Sequence, residues 1–366
     1  MTDDSRRGTR RPPGSDPGAL RPGLTRSDRR AHGDRTGRFT VTAHTTAEAE
    51  HRSAVEEMVR GLTAEPKRLS PKFLYHNDGS RLFDEITRLD EYYPTRVERS
   101  LLERHAGAIV TEVRPGEIVE LGPGSGQKSG MLIGPGLRAG TLLRYVPFDI
   151  SESAVRESAS SLLAAHPDLD EIAGVVGDFD RHLSAIPPTR GTRLVAFLGS
   201  TIGNLDPHEQ RRLLADLRGL MRRRDDALLI GVDLLKDRRV LEQAYNDRRG
   251  VTALFNLNSL EAANDLLGAE IDAGLFRHRA FFNDEHSRIE MHLEARADVS
   301  FTLPAVGDTV RLRAGETIWT ESSYKFTKEG FAGTLREAGF GDARWYTDRE
   351  EMFALALARP LLPAGA

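Results

Sequence analysis

The 366-residue sequence predicts an α/β fold with a Rossmann-like, mostly parallel sheet and a second α+β domain. Three observations predict it. Short apolar runs alternate with helical segments between residues 117 and 234, which is typical of a parallel sheet. The first run ends in a glycine-rich loop, 122–126. The alternation stops near Lys236, and from Phe276 to Phe326 the pattern becomes that of antiparallel strands joined by turns.

Composition excludes several function classes. The net charge of -4 argues against general nucleic-acid binding, and no apolar run approaches the ~20 residues that a membrane span needs. The chain contains no cysteine, which excludes disulfides, thiolate metal sites and cysteine nucleophiles. We expect a cytoplasmic monomer that acts on a small molecule.

The N-terminal segment differs from the rest of the chain. Residues 1–38 hold ten arginines against five aspartates and have almost no apolar side chains. Such a segment cannot bury enough apolar surface to fold alone, so we predict a disordered basic tail. No hydrophobic region follows its paired arginines, and we therefore expect no secretory signal.

Tyrosines gather in the first part of the folded region. Residues 46–63 have apolar side chains at helical spacing, which predicts an amphipathic helix. The following segment, 71–96, contains three of the seven tyrosines of the chain, Tyr75, Tyr92 and Tyr93. A tyrosine offers an apolar wall with a polar tip, which suits a pocket for a small polar molecule, although a single ring is more often core packing.

The elements of the main sheet follow in order. We predict parallel strands at 117–121, 142–150, 174–179, 193–200 and 227–234. Helices are predicted at 97–113, 126–138, 151–165 and from Pro207, where Asp206 and Glu209 have the spacing of a capping box. Beyond Lys236 we predict a helical region, 240–266, and strands at 277–283, 287–296, 299–303, 309–312 and 317–326. A helix near 327–338 and strands at 343–348 and 353–358 could return to the parallel sheet.

The glycine loop reads EIVELGPGSGQKSG over residues 117–130. Gly122, Gly124 and Gly126 permit a tight turn and a close approach of a ligand to the backbone, and the helix start that follows favours negative groups. A dinucleotide fingerprint would need a third glycine where Gln127 stands, which disfavours an NAD oxidoreductase. The pattern resembles the first motif of the class I S-adenosylmethionine-dependent methyltransferases.

Polar residues follow the other strands of the sheet. The second strand ends at Asp149, where a carboxylate could hold a ribose diol, and the third ends at Asp178 and Phe179, which could bind an adenine. The fourth strand ends in the polar segment 199–204. Because ligands of open α/β sheets bind at the carboxyl ends of the strands, the sequence predicts a nucleotide-type cofactor at this edge.

A set of longer blocks carries a narrower resemblance. They read YHNDGSRLFDEITRLDEYYPTR, VELGPGSGQK, PFD, GDF, FLGSTIGN, AYNDRRGVTALFN, RIEM and ESSYKF. In this order they resemble the histidine Nα-methyltransferases of ergothioneine biosynthesis, from about residue 50 to the C-terminus. The resemblance implies transfer of three methyl groups from S-adenosyl-L-methionine to the α-amino group of L-histidine, giving hercynine, without a metal.

The resemblance also implies a role for each matching residue. In the substrate site, Tyr75, Asn204 and the Gly199 carbonyl would orient the amine. Tyr92 and Tyr245 would help to bind the carboxylate and the amine. The imidazole side of the pocket would consist of Phe83, Met291, Glu321 and Ser323, with Glu321 and Ser323 on the two ring nitrogens. The cofactor would be bound by Gly122, Gly124, Gly126, Lys128, Asp149, Asp178 and Phe179.

The same resemblance implies two domains. The substrate-binding α+β domain would comprise residues 39–96 and 236–324, and the cofactor domain residues 97–235 and 325–366. Two alternatives stay open. One is an enzyme of the same fold that methylates another amino acid, such as tryptophan or a derivative. The other is a non-catalytic S-adenosylmethionine-binding protein whose basic tail recruits a partner.

Overall fold

The computed structural model describes residues 31–33, 37–44, 46–124 and 126–362. The strands, in chain order, are β1 Ala31–Gly33, β2 Phe39–Ala43, β3 Glu117–Leu121, β4 Arg144–Asp149, β5 Glu171–Val176, β6 Arg193–Phe197, β7 Ala227–Asp233, β8 Phe276–Asn283, β9 Arg288–Ala295, β10 Val299–Leu303, β11 Asp308–Leu312, β12 Thr317–Tyr324, β13 Arg344–Thr347 and β14 Phe353–Ala358. The helices are α1 Ala47–Thr63, α2 Gly79–Ile86, α3 Tyr93–Val113, α4 Gln127–Arg138, α5 Glu152–Ala165, α6 Phe179–His182, α7 Pro207–Gly219, α8 Arg238–Ala244, α9 Val251–Leu267 and α10 Lys328–Glu337. Turns of 3₁₀-helix lie at Pro71–Tyr75, Leu183–Ala185, Thr201–Asn204 and Ala273–Leu275.

A nine-stranded sheet forms the centre of the molecule, in the order β1-β2-β5-β4-β3-β6-β7-β14-β13. The strands from β2 to β7 are parallel, whereas β1, β14 and β13 pair antiparallel with their neighbours. The strand order reverses at β3, because β4 lies on one side of it and β6 on the other. The predicted mostly parallel α/β fold is confirmed, and ligands bind sheets of this kind at such a reversal.

Helices cover both faces of this sheet. Helices α3, α4 and α5 pack on one face, and α7 and α10 pack on the other. All residues of β3, β6 and β7 are buried, which explains why these strands read as continuous apolar runs. The capping box predicted for α7 is present, since the Asp206 side chain accepts from the Glu209 backbone and the Glu209 side chain accepts in return.

A second unit contains the three-stranded antiparallel sheet β12-β9-β8 and the hairpin β10-β11. Its apolar cores include side chains from α1, α2 and α9. The change of pattern beyond Lys236 therefore marks a real change of architecture. The helical region predicted at 240–266 is two helices, α8 and α9, because Gly250 adopts a positive φ of 73° just before α9.

The structure moves two predicted boundaries. Strand β2 pairs in parallel with β5, so residues 39–43 belong to the nine-stranded sheet and not to the second unit, where they were predicted. Val41 is 2% exposed and packs in the core of that sheet, which the polar sequence around it does not reveal. Strand β5 begins at Glu171, three residues earlier than predicted, because Glu171 already pairs with Arg144 of β4.

The tail prediction falls mostly on residues outside the described ranges, namely 1–30 and 34–36. Its end at residue 38 falls directly before β2, but the predicted tail also contains a strand. Residues Ala31–Gly33 form strand β1, which pairs with β2 at the edge of the sheet. Among the described residues, no helix is long and apolar enough to cross a membrane.

Candidate active site

The glycine loop lies at the carboxyl end of β3. Gly122, Gly124 and Gly126 have positive φ angles of 62°, 54° and 72°, a conformation that glycine adopts at little cost. A Cβ at Gly122 or Gly124 would meet nothing within 4 Å, whereas at Gly126 it would lie 2.6 Å from Ser158 Oγ. The first two glycines therefore leave open space above the backbone that fits a ligand, and the third packs the loop against α5.

Glu120 precedes this loop and is 1% exposed. It accepts a hydrogen bond from the Tyr145 hydroxyl at 2.8 Å, and that hydroxyl also lies 3.0 Å from Ser129 Oγ. Burial raises the pKa of the Glu120 carboxyl, against the opposing effect of these hydrogen bonds. The contacts join β3 to β4 and to the start of α4, so they hold the loop in place.

The predicted ribose and adenine residues lie at neighbouring strand ends. Asp149 ends β4, and its Oδ1 accepts the Ser151 N–H at 2.9 Å. Burial raises the pKa of the Asp149 carboxyl. The Gly177 N–H donates to the Asp149 carbonyl at 2.9 Å, which places Asp178 close to Asp149. Phe179 packs edge-on against Phe197 at the end of β6, with 6.0 Å between the ring centroids.

Lys128 and Gly199 are connected by a residue that the sequence analysis did not single out. Glu98 of α3 is 0% exposed and its carboxylate accepts from Lys128 Nζ at 2.8 Å and from the Gly199 N–H at 2.6 Å. The Glu98 carboxylate therefore fixes the end of β6 to the first turn of α4.

Asn204 lies on the same side of the sheet. It ends the 3₁₀ turn Thr201–Asn204 and is half-buried. A Cβ at the preceding Gly203 would lie 2.9 Å from the Tyr324 carbonyl oxygen, so only glycine permits this close approach to the end of β12. The approach brings Asn204 next to the second unit.

Five aromatic rings form a continuous wall in the second unit. Phe83 lies 5.4 Å from Tyr75 and 6.2 Å from Tyr92, measured between ring centroids. Tyr92 lies 6.2 Å from Tyr245, and Phe255 lies 5.3 Å from Tyr75. Tyr75 is 39% exposed and Tyr245 is 7% exposed. We call these five residues the aromatic wall; it runs from an open side at Tyr75 to a closed side at Tyr245.

Glu321 and Ser323 lie two residues apart on β12, so their side chains point to the same face of the strand. Met291 of β9 is the cross-strand partner of Glu321 and is 1% exposed, which places it in the packing beneath the site. Burial raises the pKa of the Glu321 carboxyl to about 7, against the opposing effect of the Lys325 charge. Among the described residues, no cation forms an ion pair with Glu321.

The aromatic wall and Glu321 lie close enough to influence each other electrostatically. Burial raises the pKa of Tyr75, Tyr92 and Tyr245 above their usual range, and the charge of Glu321 raises each further. The charge of Asp149 also contributes at Tyr75, so the carboxyl end of β4 adjoins the open side of the wall. All three hydroxyls stay protonated at neutral pH and serve as neutral hydrogen-bonding groups.

A buried polar cluster closes the other end of the site. Lys325 Nζ lies 2.9 Å from Asp233 Oδ2, 3.0 Å from Tyr245 Oη and 2.7 Å from Ser323 Oγ. Tyr245 Oη lies 2.8 Å from Ser323 Oγ. Lys236 Nζ donates to Asp233 Oδ1 at 2.6 Å. The cluster joins the end of β7 to the end of β12, and therefore the nine-stranded sheet to the second unit.

The sequence model of the family described as histidine-specific methyltransferase, SAM-dependent, matches residues 54–360. The chain belongs to this family. As a methyltransferase of this family it takes the methyl group from S-adenosylmethionine. The open space above Gly122 and Gly124 and the half-buried acids at the ends of β4 and β5 fit such a cofactor.

Two relatives that match most of this chain agree with this assignment. The methyltransferase is 41% identical to the histidine N-alpha-methyltransferase of Mycobacterium tuberculosis (strain CDC 1551 / Oshkosh) over 321 residues, covering 88% of this chain and 99% of the relative. It is 43% identical to that of Mycolicibacterium smegmatis (strain ATCC 700084 / mc(2)155) over 310 residues, covering 84% and 96%. A solved S-adenosylmethionine-dependent methyltransferase from Clostridium acetobutylicum ATCC 824 matches with a TM-score of 0.43 and 11% identity, over 78% of this chain and 98% of that chain.

Three residues of the candidate site were missed by sequence reasoning. Asp233 ends β7, the last of the five predicted parallel strands, so the rule that selected Asp149 and Asp178 applied to it as well. Lys325 lies two residues beyond Ser323, and its side chain points to the same side of the backbone as that of Ser323. Glu98 is a single charge within the apolar face of α3, which was the available signal that it has a buried partner.

Proposed function

We propose that this methyltransferase transfers three methyl groups from S-adenosylmethionine to the α-amino group of L-histidine, giving Nα,Nα,Nα-trimethylhistidine (hercynine) for ergothioneine biosynthesis. The observation that carries the proposal is the pair Glu321 and Ser323 on one face of β12, beside the aromatic wall. A buried carboxylate that has no ion-pair partner among the described residues favours a ligand that brings an N–H group.

An imidazole ring meets both polar groups in this assignment. Glu321 accepts the ring N–H, and Ser323 binds the other nitrogen. Phe83 forms part of the pocket wall and Met291 supports its floor from β9. A site that hydrogen-bonds a substrate group rejects analogues lacking it by as much as ~10⁴–10⁵, so this pair would select histidine over apolar amino acids.

The amino group reacts only as the free amine, because an ammonium has no lone pair. An unperturbed chain-terminal α-amino group has a pKa of about 7.7–8.0, and the neighbouring carboxylate of free histidine raises this pKa, so only a small fraction is free amine near neutral pH. Tyr75, Asn204 and the Gly199 carbonyl are neutral groups that would orient this amine without a strong base. Tyr92 and Tyr245 would bind the carboxylate. Orientation of this kind can contribute up to ~7–11 kcal/mol to lowering a barrier.

The bound sulfonium supplies an activated methyl group. Gly122, Gly124, Gly126 and Lys128 would hold its methionine and ribose parts, Asp149 would bind the ribose hydroxyls, and Asp178 and Phe179 the adenine. The residues around the amine must then admit first one, then two and then three methyl groups. Repeated transfer gives a quaternary ammonium, which has no lone pair and ends the sequence.

The proposal is tested by mass spectrometry of the purified enzyme with S-adenosylmethionine and a mixture of the twenty amino acids. We expect histidine to gain the mass of three CH₂ units. A product from tryptophan instead would keep the fold and the chemistry but refute the imidazole assignment. No product, with S-adenosylmethionine still bound, would favour the non-catalytic binding protein.

Glu321→Ala tests the imidazole assignment directly. We expect kcat/KM for histidine to fall about 10- to 100-fold, since a hydrogen bond to a charged group contributes roughly 1.5–3 kcal/mol. Glu316→Ala, at an exposed glutamate just before β12, is the control and should keep full activity. Unchanged histidine turnover in Glu321→Ala would show that another group binds the imidazole.

A further inference from the structure

Lys325 lies directly behind the proposed substrate groups and touches two of them. Its side chain is 0% exposed. An ammonium has three N–H donors and no acceptor, and the three neighbours of Nζ at hydrogen-bonding distance are Asp233, Tyr245 and Ser323. Lys325 therefore donates to both hydroxyls. The Tyr245 hydroxyl donates its own hydrogen to Ser323 Oγ at 2.8 Å, and the Ser323 hydroxyl keeps its hydrogen to donate elsewhere.

The charges of the cluster are not balanced within it. Two lysines, Lys236 and Lys325, share one carboxylate, that of Asp233. Although burial opposes its charge, the Asp233 carboxylate holds the pKa of Lys325 above its usual range, so Lys325 is charged at neutral pH. Burial lowers the pKa of Lys236 to about 8, which still leaves it mostly charged. A buried surplus of positive charge favours an anion in the neighbouring site.

Tyr245 is the group through which the positive charge of Lys325 can act on a ligand, because its hydroxyl accepts from Lys325. This hydroxyl also lies 2.8 Å from Ser323 Oγ. A carboxylate is a stronger acceptor than a hydroxyl, so a ligand carboxylate would take the Tyr245 hydrogen. Ser323, relieved of that contact, would still accept from Lys325 and would donate its hydrogen to the unprotonated imidazole nitrogen.

We propose that Lys325 is a positioning residue that makes the enzyme select amino acids with a free α-carboxylate, by supplying positive charge through the Tyr245 hydroxyl. This inference rests on the proposed function, because it takes Tyr245 to bind the carboxylate. Glu321 does not replace the carboxylate in this role, since it forms no hydrogen bond with Lys325 among the described residues. Lys325 itself stays behind the two hydroxyls and does not touch the reacting amine.

The test compares L-histidine with L-histidinamide, in which a neutral amide replaces the charged carboxylate; comparing each variant with the wild type cancels the intrinsic differences between the two ligands. Their affinities are measured by calorimetry in the presence of S-adenosylhomocysteine, and their kcat/KM values with S-adenosylmethionine. In Lys325→Met we expect the preference for histidine over the amide to fall by about 10- to 100-fold. Lys328→Met, at a partly exposed lysine three residues later, should keep the wild-type preference.

A further variant separates positioning from folding. In Lys325→Met itself the Asp233 carboxylate keeps its ion pair with Lys236, so no unpaired charge is left buried and the variant should fold. Tyr245→Phe should lose the same preference for histidine over histidinamide. Adding Lys325→Met to Tyr245→Phe should change this preference little further, because Lys325 acts through Tyr245.

The inference is contradicted if the preference for histidine over histidinamide does not change. If Lys325→Met lowers the affinity and kcat/KM for both ligands by the same factor, Lys325 only supports the fold and the inference is wrong. This outcome differs from a failure of the proposed function, in which the wild-type enzyme would not methylate histidine at its α-amino group at all.

Discussion

At the scale of single residues, Glu321 couples the protonation of the protein to its folding. Its pKa is about 7 in the folded protein, raised by burial from an ordinary value of 4.5. A carboxyl whose pKa is raised on folding contributes its full stability below pH 4.5 and loses it as pH rises through about 7. The free enzyme therefore holds a destabilising charge at neutral pH, where an imidazole N–H can compensate for it.

Glu321→Gln removes this charge and keeps the shape of the side chain. We expect its free energy of unfolding to match that of the wild type at pH 4 and to exceed it at pH 8. The difference follows from the pKa shift and is on the order of 3 kcal/mol, at about 1.4 kcal/mol per unit. Urea unfolding at the two pH values measures it.

The control for this prediction is Glu103→Gln, because the Glu103 side chain is 57% exposed and pairs with Arg99 on the surface of α3. That variant should show no comparable rise at pH 8. A Glu321→Gln variant with the same stability difference at both pH values would contradict the burial of the charge. In either case its affinity for histidine should fall, since an amide is a weaker acceptor for the ring N–H.

At the scale of elements, the loop between β3 and α4 depends on Gly126 for two separate reasons. Its φ is +72°, and a Cβ there would lie 2.6 Å from Ser158 Oγ. We expect Gly126→Ala to destabilise the protein by about 1–3 kcal/mol through backbone strain, plus the cost of the clash. It should also weaken S-adenosylmethionine binding, because the loop moves. Thermal unfolding and calorimetric titration measure the two effects.

Gly140 provides a matched control, since its φ is +64° but a Cβ there would meet nothing within 4 Å. Gly140→Ala should show the strain without the clash and without loss of cofactor affinity. Adding Ser158→Ala to Gly126→Ala should recover part of the lost stability. Equal destabilisation by the two single glycine variants would show that the contact with Ser158 has no effect.

Elements with a local signal were predictable, and elements defined by distant partners were not. The strand from Glu117 to Leu121 and the acids at Asp149 and Asp178 follow from patterns within a few residues. Strand β2 is different, because its buried position depends on pairing with β5, more than 120 residues later in the chain. The role of Glu98 depends likewise on Lys128 and Gly199, which belong to other elements.

The candidate site shows the same division. The resemblance supplied Tyr75, Phe83, Tyr92 and Tyr245, and the structure brings these rings into one wall. The resemblance did not supply the cluster of Asp233 and Lys325 behind them. Contacts between charges that meet only after both units have folded leave no periodic pattern in a sequence.

At the scale of the whole molecule, the chain passes repeatedly between the two units. After β2 it leaves the nine-stranded sheet for α1 and α2, returns with α3, leaves again after β7 and returns with α10. The buried pair of Asp233 and Lys325 joins the units where the chain last crosses. We therefore expect the units to unfold together.

The two tryptophans allow this to be measured, because Trp319 lies in β12 of the second unit and Trp345 in β13 of the nine-stranded sheet. Single-tryptophan variants, Trp319→Phe and Trp345→Phe, each report one unit by fluorescence. Their urea unfolding curves should share one midpoint and coincide with the curve from circular dichroism. Separate midpoints would show that the units are independent domains.

The repeated crossing also bears on how new substrate preferences can arise in this fold. Neither unit is encoded by one continuous stretch of the gene. A single recombination event therefore cannot replace the whole unit that we propose to bind the amino acid. The side chains proposed to face the imidazole are instead concentrated on the adjacent strands β9 and β12. Point mutations in the two short gene segments that encode β9 and β12 could therefore change the preferred amino acid. The site for the methyl donor would stay unchanged.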